Sequence, residues 1–288
     1  MDRVLVTGGS GLLGSRFQDL ACENYQIISI HHHNPLKDTI SLDITKEKEV
    51  LDKLTYLNPD VVIHSAALTQ VDYCEENHAL AWKVNVKGTC NLVNICEKLG
   101  ARLIYVSTDF VFDGSKGMYS EDDKPNPLNY YAYTKLKGEE IVKKSELEFA
   151  IARVSVLYGW HNRTGFVNWV INELQKNHTI KVVDDHYNSP TLANNAALAI
   201  LRIIEKNKTG IYHTAGSERI SRFQLALNIA RVFELDETLI KPVSSSELKQ
   251  KAKRPRDSSL SVNKVRRDLK IRMLDTKKGL KIMKEERL

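Results

Sequence analysis

The stretch Val4-Leu5-Val6-Thr7-Gly8-Gly9-Ser10-Gly11-Leu12-Leu13-Gly14 decides the fold. Its first residues are apolar and β-branched, and 3–7 reads as a buried strand. Gly8, Gly11 and Gly14 then fall where a helix must begin. Gly8 allows a tight turn. Gly11 removes the side chain where a pyrophosphate must approach the backbone, and Gly14 lets the helix pack close to the sheet. Free N–H groups at the helix start, around Ser10, Leu12 and Leu13, face the anion. Strand, glycine turn and helix in this order point to dinucleotide binding.

Outward from this loop, short apolar runs alternate with helical patterns. Strands are predicted at 26–30, 61–64, 102–107 and 149–156, with helices at 12–24, 46–56, 78–99 and 128–146. Such alternation argues for parallel strands with right-handed crossovers, in a doubly wound α/β sheet of the Rossmann type. Further on, helices are expected at 166–176, 192–206 and 223–233, the last capped by Ser221, with a strand at 211–214. Weaker helical stretches lie near 262–269 and 276–287. The predicted organisation is a cofactor-binding domain over 1–157, rejoined by 191–216, and a smaller C-terminal α/β lobe built from 158–190 and 217–288.

Composition supports a soluble globular chain: 288 residues, 42% hydrophobic and 27% charged. No apolar run reaches the roughly 20 residues of a membrane helix. The start, Met1-Asp2-Arg3, lacks the pattern of a signal peptide. A cytoplasmic protein is expected. Cys22, Cys74, Cys90 and Cys96 show no C-x-x-C spacing and read as reduced thiols. The net charge of +6 is uneven, with +10 in residues 249–288 and −4 before them. Basic tails suit nucleic acid or anionic small molecules. The absence of aromatic residues there argues against nucleic acid.

Residues after the second strand select the cofactor. An acid there would hold the ribose hydroxyls of NAD, but the sequence has His31, His32 and His33, with no acid until Asp38. Histidines tolerate a 2′-phosphate better than a carboxylate does, so His32 and His33 are expected to favour NADP, with NAD the alternative. Neighbours on an extended segment point to opposite sides, so the three do not form a metal site. Asp43-Ile44 follows a short apolar stretch, where Asp43 can accept the adenine amino group or cap the helix at 46–56.

Residues 131–135 read Tyr131-Ala132-Tyr133-Thr134-Lys135. Residues four apart share a helix face. An ammonium beside a phenol lowers its pKa and makes it a usable proton donor near neutral pH. The pair follows a strand ending in Ser107-Thr108-Asp109. With the glycine loop, this resembles the extended short-chain dehydrogenase/reductase superfamily over the whole chain. His64-Ser65-Ala66-Ala67 resembles its N/H-x-A-A/G segment beside the cofactor, and Asn85 its helix asparagine. Arg153-Val154-Ser155-Val156-Leu157-Tyr158-Gly159 is similar to its R-x-x-x-x-Y-G strand, whose end covers the nicotinamide.

Within that superfamily, Ser107-Thr108-Asp109-Phe110-Val111-Phe112-Asp113-Gly114 resembles the S-T-D-Y-V-F-D-G signature of dTDP-4-dehydrorhamnose reductases. Phe110 replaces the usual tyrosine, so any hydroxyl contact there is lost. Asp185-His186-Tyr187-Asn188-Ser189-Pro190-Thr191 and Arg254-Pro255-Arg256-Asp257 look like further segments of the family.

The resemblance implies these roles. Tyr131 donates the proton, Lys135 lowers its pKa and holds the nicotinamide ribose, and Thr108 binds the substrate carbonyl oxygen. Gly8, Ser10, Gly11, Leu12, Leu13, Gly14, His32, His33, Asp43, Ile44, Ala66, Ala67 and Val154 hold NADP(H) together with Tyr131 and Lys135. Thr69, Asp109 and Phe110 contact the substrate, and Arg254 and Arg256 its diphosphate. Trp160 and Trp169 line the sugar pocket or pack in the core. His64 is read as a core histidine bonded to a backbone carbonyl. The family implies a homodimer, and the residues themselves lead us to expect no metal and no membrane or nucleic-acid partner. The reaction implied is NAD(P)H-dependent reduction of a 4-keto nucleotide sugar. The chain also resembles the regulatory beta subunit of methionine adenosyltransferase, which binds NADP and a partner enzyme.

Overall fold

Seven parallel strands carry the site, in a computed structural model that describes residues 2–20, 25–162, 165–248 and 250–286. In chain order the strands begin with β1 (Asp2–Thr7), β2 (Tyr25–His31), β3 (Ile40–Ser41), β4 (Val61–His64), β5 (Arg102–Thr108) and β6 (Phe149–Val154). Short strands follow: β7 (Leu157–Tyr158), β8 (Ile180–Val183), β9 (Tyr187–Asn188), β10 (Thr191–Leu192), β11 (Gly210–His213), β12 (Ile220–Ser221) and β13 (Ile240–Val243). The central order is β11-β6-β5-β4-β1-β2-β3. Its direction of winding reverses between β1 and β4, where doubly wound sheets bind ligands at the carboxyl ends of the strands.

The helices are α1 (Leu12–Leu20), α2 (Glu47–Leu57), α3 (Val71–Glu76), α4 (His78–Trp82), α5 (Gly88–Leu99) and α6 (Tyr130–Lys144). After them come α7 (Phe166–Gln175), α8 (Ala193–Glu205), α9 (Arg222–Phe233), α10 (Asn263–Leu269) and α11 (Thr276–Glu285). Strand alternation sorts the core into two layers. Val4, Val6, Ile63 and Ile104 face α1 and α8, while Leu5, Val62, Leu103 and Tyr105 face α2, α5 and α6. A third cluster joins α7, α9 and α11 with the β8–β13 pair and forms the smaller lobe.

The sequence boundaries shift in instructive places. The strand expected over 149–156 stops at Val154 because Val156 takes a left-handed φ of 41°. Asp109 captures the Ser155 hydroxyl, and Thr191 donates to the Ser155 carbonyl at 2.7 Å, so the chain is drawn out of the sheet. The helix expected over 78–99 is interrupted by a π-helical turn at Lys83–Lys87, and α3 precedes it. Within 217–288, Val265 and Leu269 of α10 pack on the sheet layer with α8, not in the smaller lobe. The expected helices at 12–24 and 276–287 each run past the described residues, and Cys22 also lies outside them. Cys74, Cys90 and Cys96 are free. No helix among the described residues is long and apolar enough to cross a membrane.

Candidate active site

The glycine loop is held by its own backbone. Gly9 N–H donates to Ile30 O at 2.7 Å and Gly11 N–H to Gly8 O at 2.8 Å. Gly8 has φ +68°, and a side chain on Gly14 would place its Cβ 2.2 Å from the Gly8 carbonyl oxygen. Gly14 therefore lets α1 pack against the loop itself. The first N–H groups of α1 lack intrahelical acceptors, and Leu12 and Leu13 line a cavity of about 760 Å³.

That cavity runs from the glycine loop to the carboxyl ends of β4, β5 and β6. Every residue assigned above to the cofactor or to catalysis lines it, as do Thr69, Asp109 and Phe110. His32 Nε2 lies 3.7 Å from Asp43 Oδ2. The Asp43 carboxyl titrates below its usual range: burial alone would raise it, but the Thr45 N–H and hydroxyl, with His32, outweigh that. Asp43 closes the turn to Thr45 and does not cap α2, whose N-cap position is Lys46 with no side-chain cap bond.

Tyr131 and Lys135 are both buried on α6, whose N-terminus is capped by Asn129 accepting from Ala132 N–H. The Lys135 Nζ sits 4.1 Å from the Tyr105 ring centre, and no described residue accepts a hydrogen bond from it. Burial pushes its pKa down to about 7 despite Glu139 nearby. Burial also raises the Tyr131 phenol above its ordinary value, with the Thr108 side chain near enough to oppose the shift. The sequence reading anticipated a lowered phenol; desolvation of both groups reverses that. A buried ammonium with unused donors, beside a glycine loop and helix start, fits a dinucleotide.

Thr108 ends β5 and receives Phe110 N–H at 3.3 Å. Its hydroxyl donates to Asp109 Oδ1, and Asp109 Oδ2 accepts from Ser155 and Ser258. Asp109 is buried, which raises its pKa. Its carboxylate thus fastens β5 to the chain after β6 and to the tail, and its oxygens are occupied by protein hydroxyls. Asn85, on the π-helical turn, accepts from Leu68 N–H at 2.8 Å and donates to Leu68 O and Thr134 Oγ1. It pins the segment after β4 to α6.

Other expectations resolve differently. Arg254 and Arg256 do not line the cavity; Arg222, which the sequence reading missed, does. Its only sequence signal was its place after the helix-capping Ser221. Trp160 and Trp169 belong to the packing of the smaller lobe. His64 bonds two threonines, Thr7 at 2.8 Å and Thr89 at 3.0 Å, not a carbonyl. Among the described residues, no cluster of His, Cys, Asp or Glu is placed to hold a metal.

The family described as the RmlD substrate binding domain matches residues 1–287. The chain is 33% identical over 273 residues to a probable low-salt glycan biosynthesis reductase of Haloferax volcanii, covering 92% of this chain and 91% of the relative. It is 30% identical over 273 residues to methionine adenosyltransferase 2 subunit beta of Bos taurus, covering 91% and 81%. Among solved structures it is similar to dTDP-4-dehydrorhamnose reductase from Bacillus anthracis in complex with NADP. The TM-score is 0.91, with 31% identity and 99% of each chain covered.

Proposed function

The chain belongs to the RmlD substrate binding domain family, and from that premise we propose that it uses NADPH to reduce the 4-keto group of a dTDP-4-dehydro-6-deoxysugar, giving dTDP-L-rhamnose. The observation that carries the reading is the convergence of Thr108, Tyr131 and Lys135 on the cavity that the glycine loop opens. When bound, the reduced nicotinamide supplies a hydride to the carbonyl carbon. Tyr131, protonated, donates to the carbonyl oxygen as charge develops there. Thr108 turns its one hydroxyl proton from Asp109 Oδ1 to the same oxygen, and Phe110 N–H keeps its Oγ1 in place. Lys135 holds the nicotinamide ribose and adds positive charge beside Tyr131. Val167 and Asn168 of α7 and Arg222 of α9 line the same cavity, and we assign the sugar to that side.

The test is NADPH oxidation by the purified protein with dTDP-4-dehydrorhamnose and other 4-keto nucleotide sugars. Turnover of the dTDP-sugar is expected. A second reading rests on the likeness to methionine adenosyltransferase 2 subunit beta: a regulatory subunit that binds NADP. Tight NADPH binding with no turnover of any 4-keto sugar, and co-elution with a methionine adenosyltransferase, would decide for it.

A further inference from the structure

The basic tail offers less to the substrate than its charge suggests. Arg254 is closed by Asp72, with Nη1 2.6 Å from Oδ1 and Nη2 2.7 Å from Oδ2. Arg256 has a side chain 77% exposed, its Nη2 3.7 Å from Asp185 Oδ2. The arginine on the cavity wall is Arg222, the first residue of α9. Its backbone N–H donates to His186 O at 3.0 Å, and Ser221 caps the same helix through Gln224 N–H. Its guanidinium carbon lies 4.9 Å from the Phe166 ring centre.

No described residue accepts a hydrogen bond from that guanidinium. Asp109 is close enough to act on it electrostatically but forms no ion pair with it; the Asp109 carboxylate accepts instead from Thr108, Ser155 and Ser258. Arg254 adds a like charge, and burial pulls the Arg222 pKa down to about 10. A guanidinium has five donors, and those of Arg222, part-buried on the cavity wall, are left unused by the described residues. Phe166 takes one face, which leaves the donor edge for an oxyanion.

We propose that Arg222, not Arg254 or Arg256, holds the diphosphate of the nucleotide-sugar substrate. This rests on the reductase reading above. The experiment is calorimetric titration of the NADP⁺-saturated protein with dTDP and, separately, with thymidine. Arg222→Ala is expected to weaken dTDP binding by about 10- to 100-fold. Arg222→Lys keeps the charge, loses the fork and falls between the two. Thymidine affinity should stay the same in both variants, and unchanged NADP⁺ affinity reports that they fold. Wild-type dTDP affinity in Arg222→Ala overturns the assignment and leaves the reductase reading standing. Loss of dTDP affinity in Arg256→Ala but not Arg222→Ala returns the role to the tail. If wild-type protein binds NADP⁺ but neither dTDP nor UDP, the reductase reading falls, and the assignment with it.

Discussion

Tyr131 and Lys135 share a helix face, and burial drives both toward their neutral forms. A protonated phenol is what a proton donor needs at the start of a reduction. We therefore expect Tyr131→Phe to lose about 10²–10⁴-fold in rate while NADPH affinity, measured by fluorescence titration, is retained. Retention of more than about a tenth of the rate would remove Tyr131 from the role. The lysine gives a pH signature. It is charged below about 7 and neutral above. Its support of the developing tyrosinate should fade as pH rises through that value, and kcat/KM should fall with it. A flat profile from pH ~6 to ~9 would contradict this. We propose that single residues also set the choice of cofactor. His32 and His33 line the cavity, although Asp43 stands beside His32. NADPH should bind about tenfold more tightly than NADH, and a double substitution of His32 and His33 to Ala should narrow that gap. Tighter NADH binding by the wild type would leave the histidines without a phosphate role.

At the scale of elements, the glycine loop, β4, β5 and α6 were legible because each is specified by local sequence. Apolar β-branched runs, turn glycines and a capping Asn129 act within a few residues of themselves. Missed features depend on distant partners. Val156 leaves the sheet because Asp109 and Thr191 capture Ser155. Asn85 was singled out by the family resemblance alone; its contacts with Leu68 and Thr134 are the part that no local pattern reports. Arg222 reaches the cavity because α9 docks beside His186, which no spacing rule reports. The buried pair Arg153 and Glu139 is of the same kind. Arg153 donates from Nε at 2.9 Å and Nη2 at 2.7 Å to Glu139, and Ser107 donates to it at 2.7 Å. Both residues are fully buried. The pair ties β6 to α6, which carries Tyr131 and Lys135. Arg153→Met leaves Glu139 buried and short of its main partner, and should cost about 3–5 kcal/mol in urea unfolding. A loss under ~1 kcal/mol would mean that α6 is positioned by apolar packing alone.

The whole molecule's response to acid follows from histidines it buries neutral. His64 is enclosed between Thr7 and Thr89. Thr89 spends its proton on Asn85 O, so His64 Nε2 donates to Thr89 while Nδ1 accepts from Thr7. His213 lies between the Ser261 carbonyl on Nδ1 and Arg153 on Nε2. Burial first, then the nearby cations Lys135 and Arg153, depress both to about 3. In the unfolded chain a histidine titrates near 6.5. Below that value the unfolded state binds protons that the native state refuses, so stability present above pH ~6.5 is lost as pH falls toward 3. Each histidine contributes a slope of about 1.4 kcal/mol per pH unit in that window. Asp109 and Glu121, whose buried carboxyls are raised, act with the opposite sign and offset part of it. The difference between two proteins isolates one group. His64→Asn keeps a hydrogen-bonding side chain beside Thr7 and removes the titration. Between pH ~6 and ~4.5, its urea-unfolding free energy should fall less steeply than wild type by about one proton's worth. Parallel slopes would show that His64 takes up its proton in the folded protein, and that the pocket between Thr7 and Thr89 opens to water before the molecule unfolds.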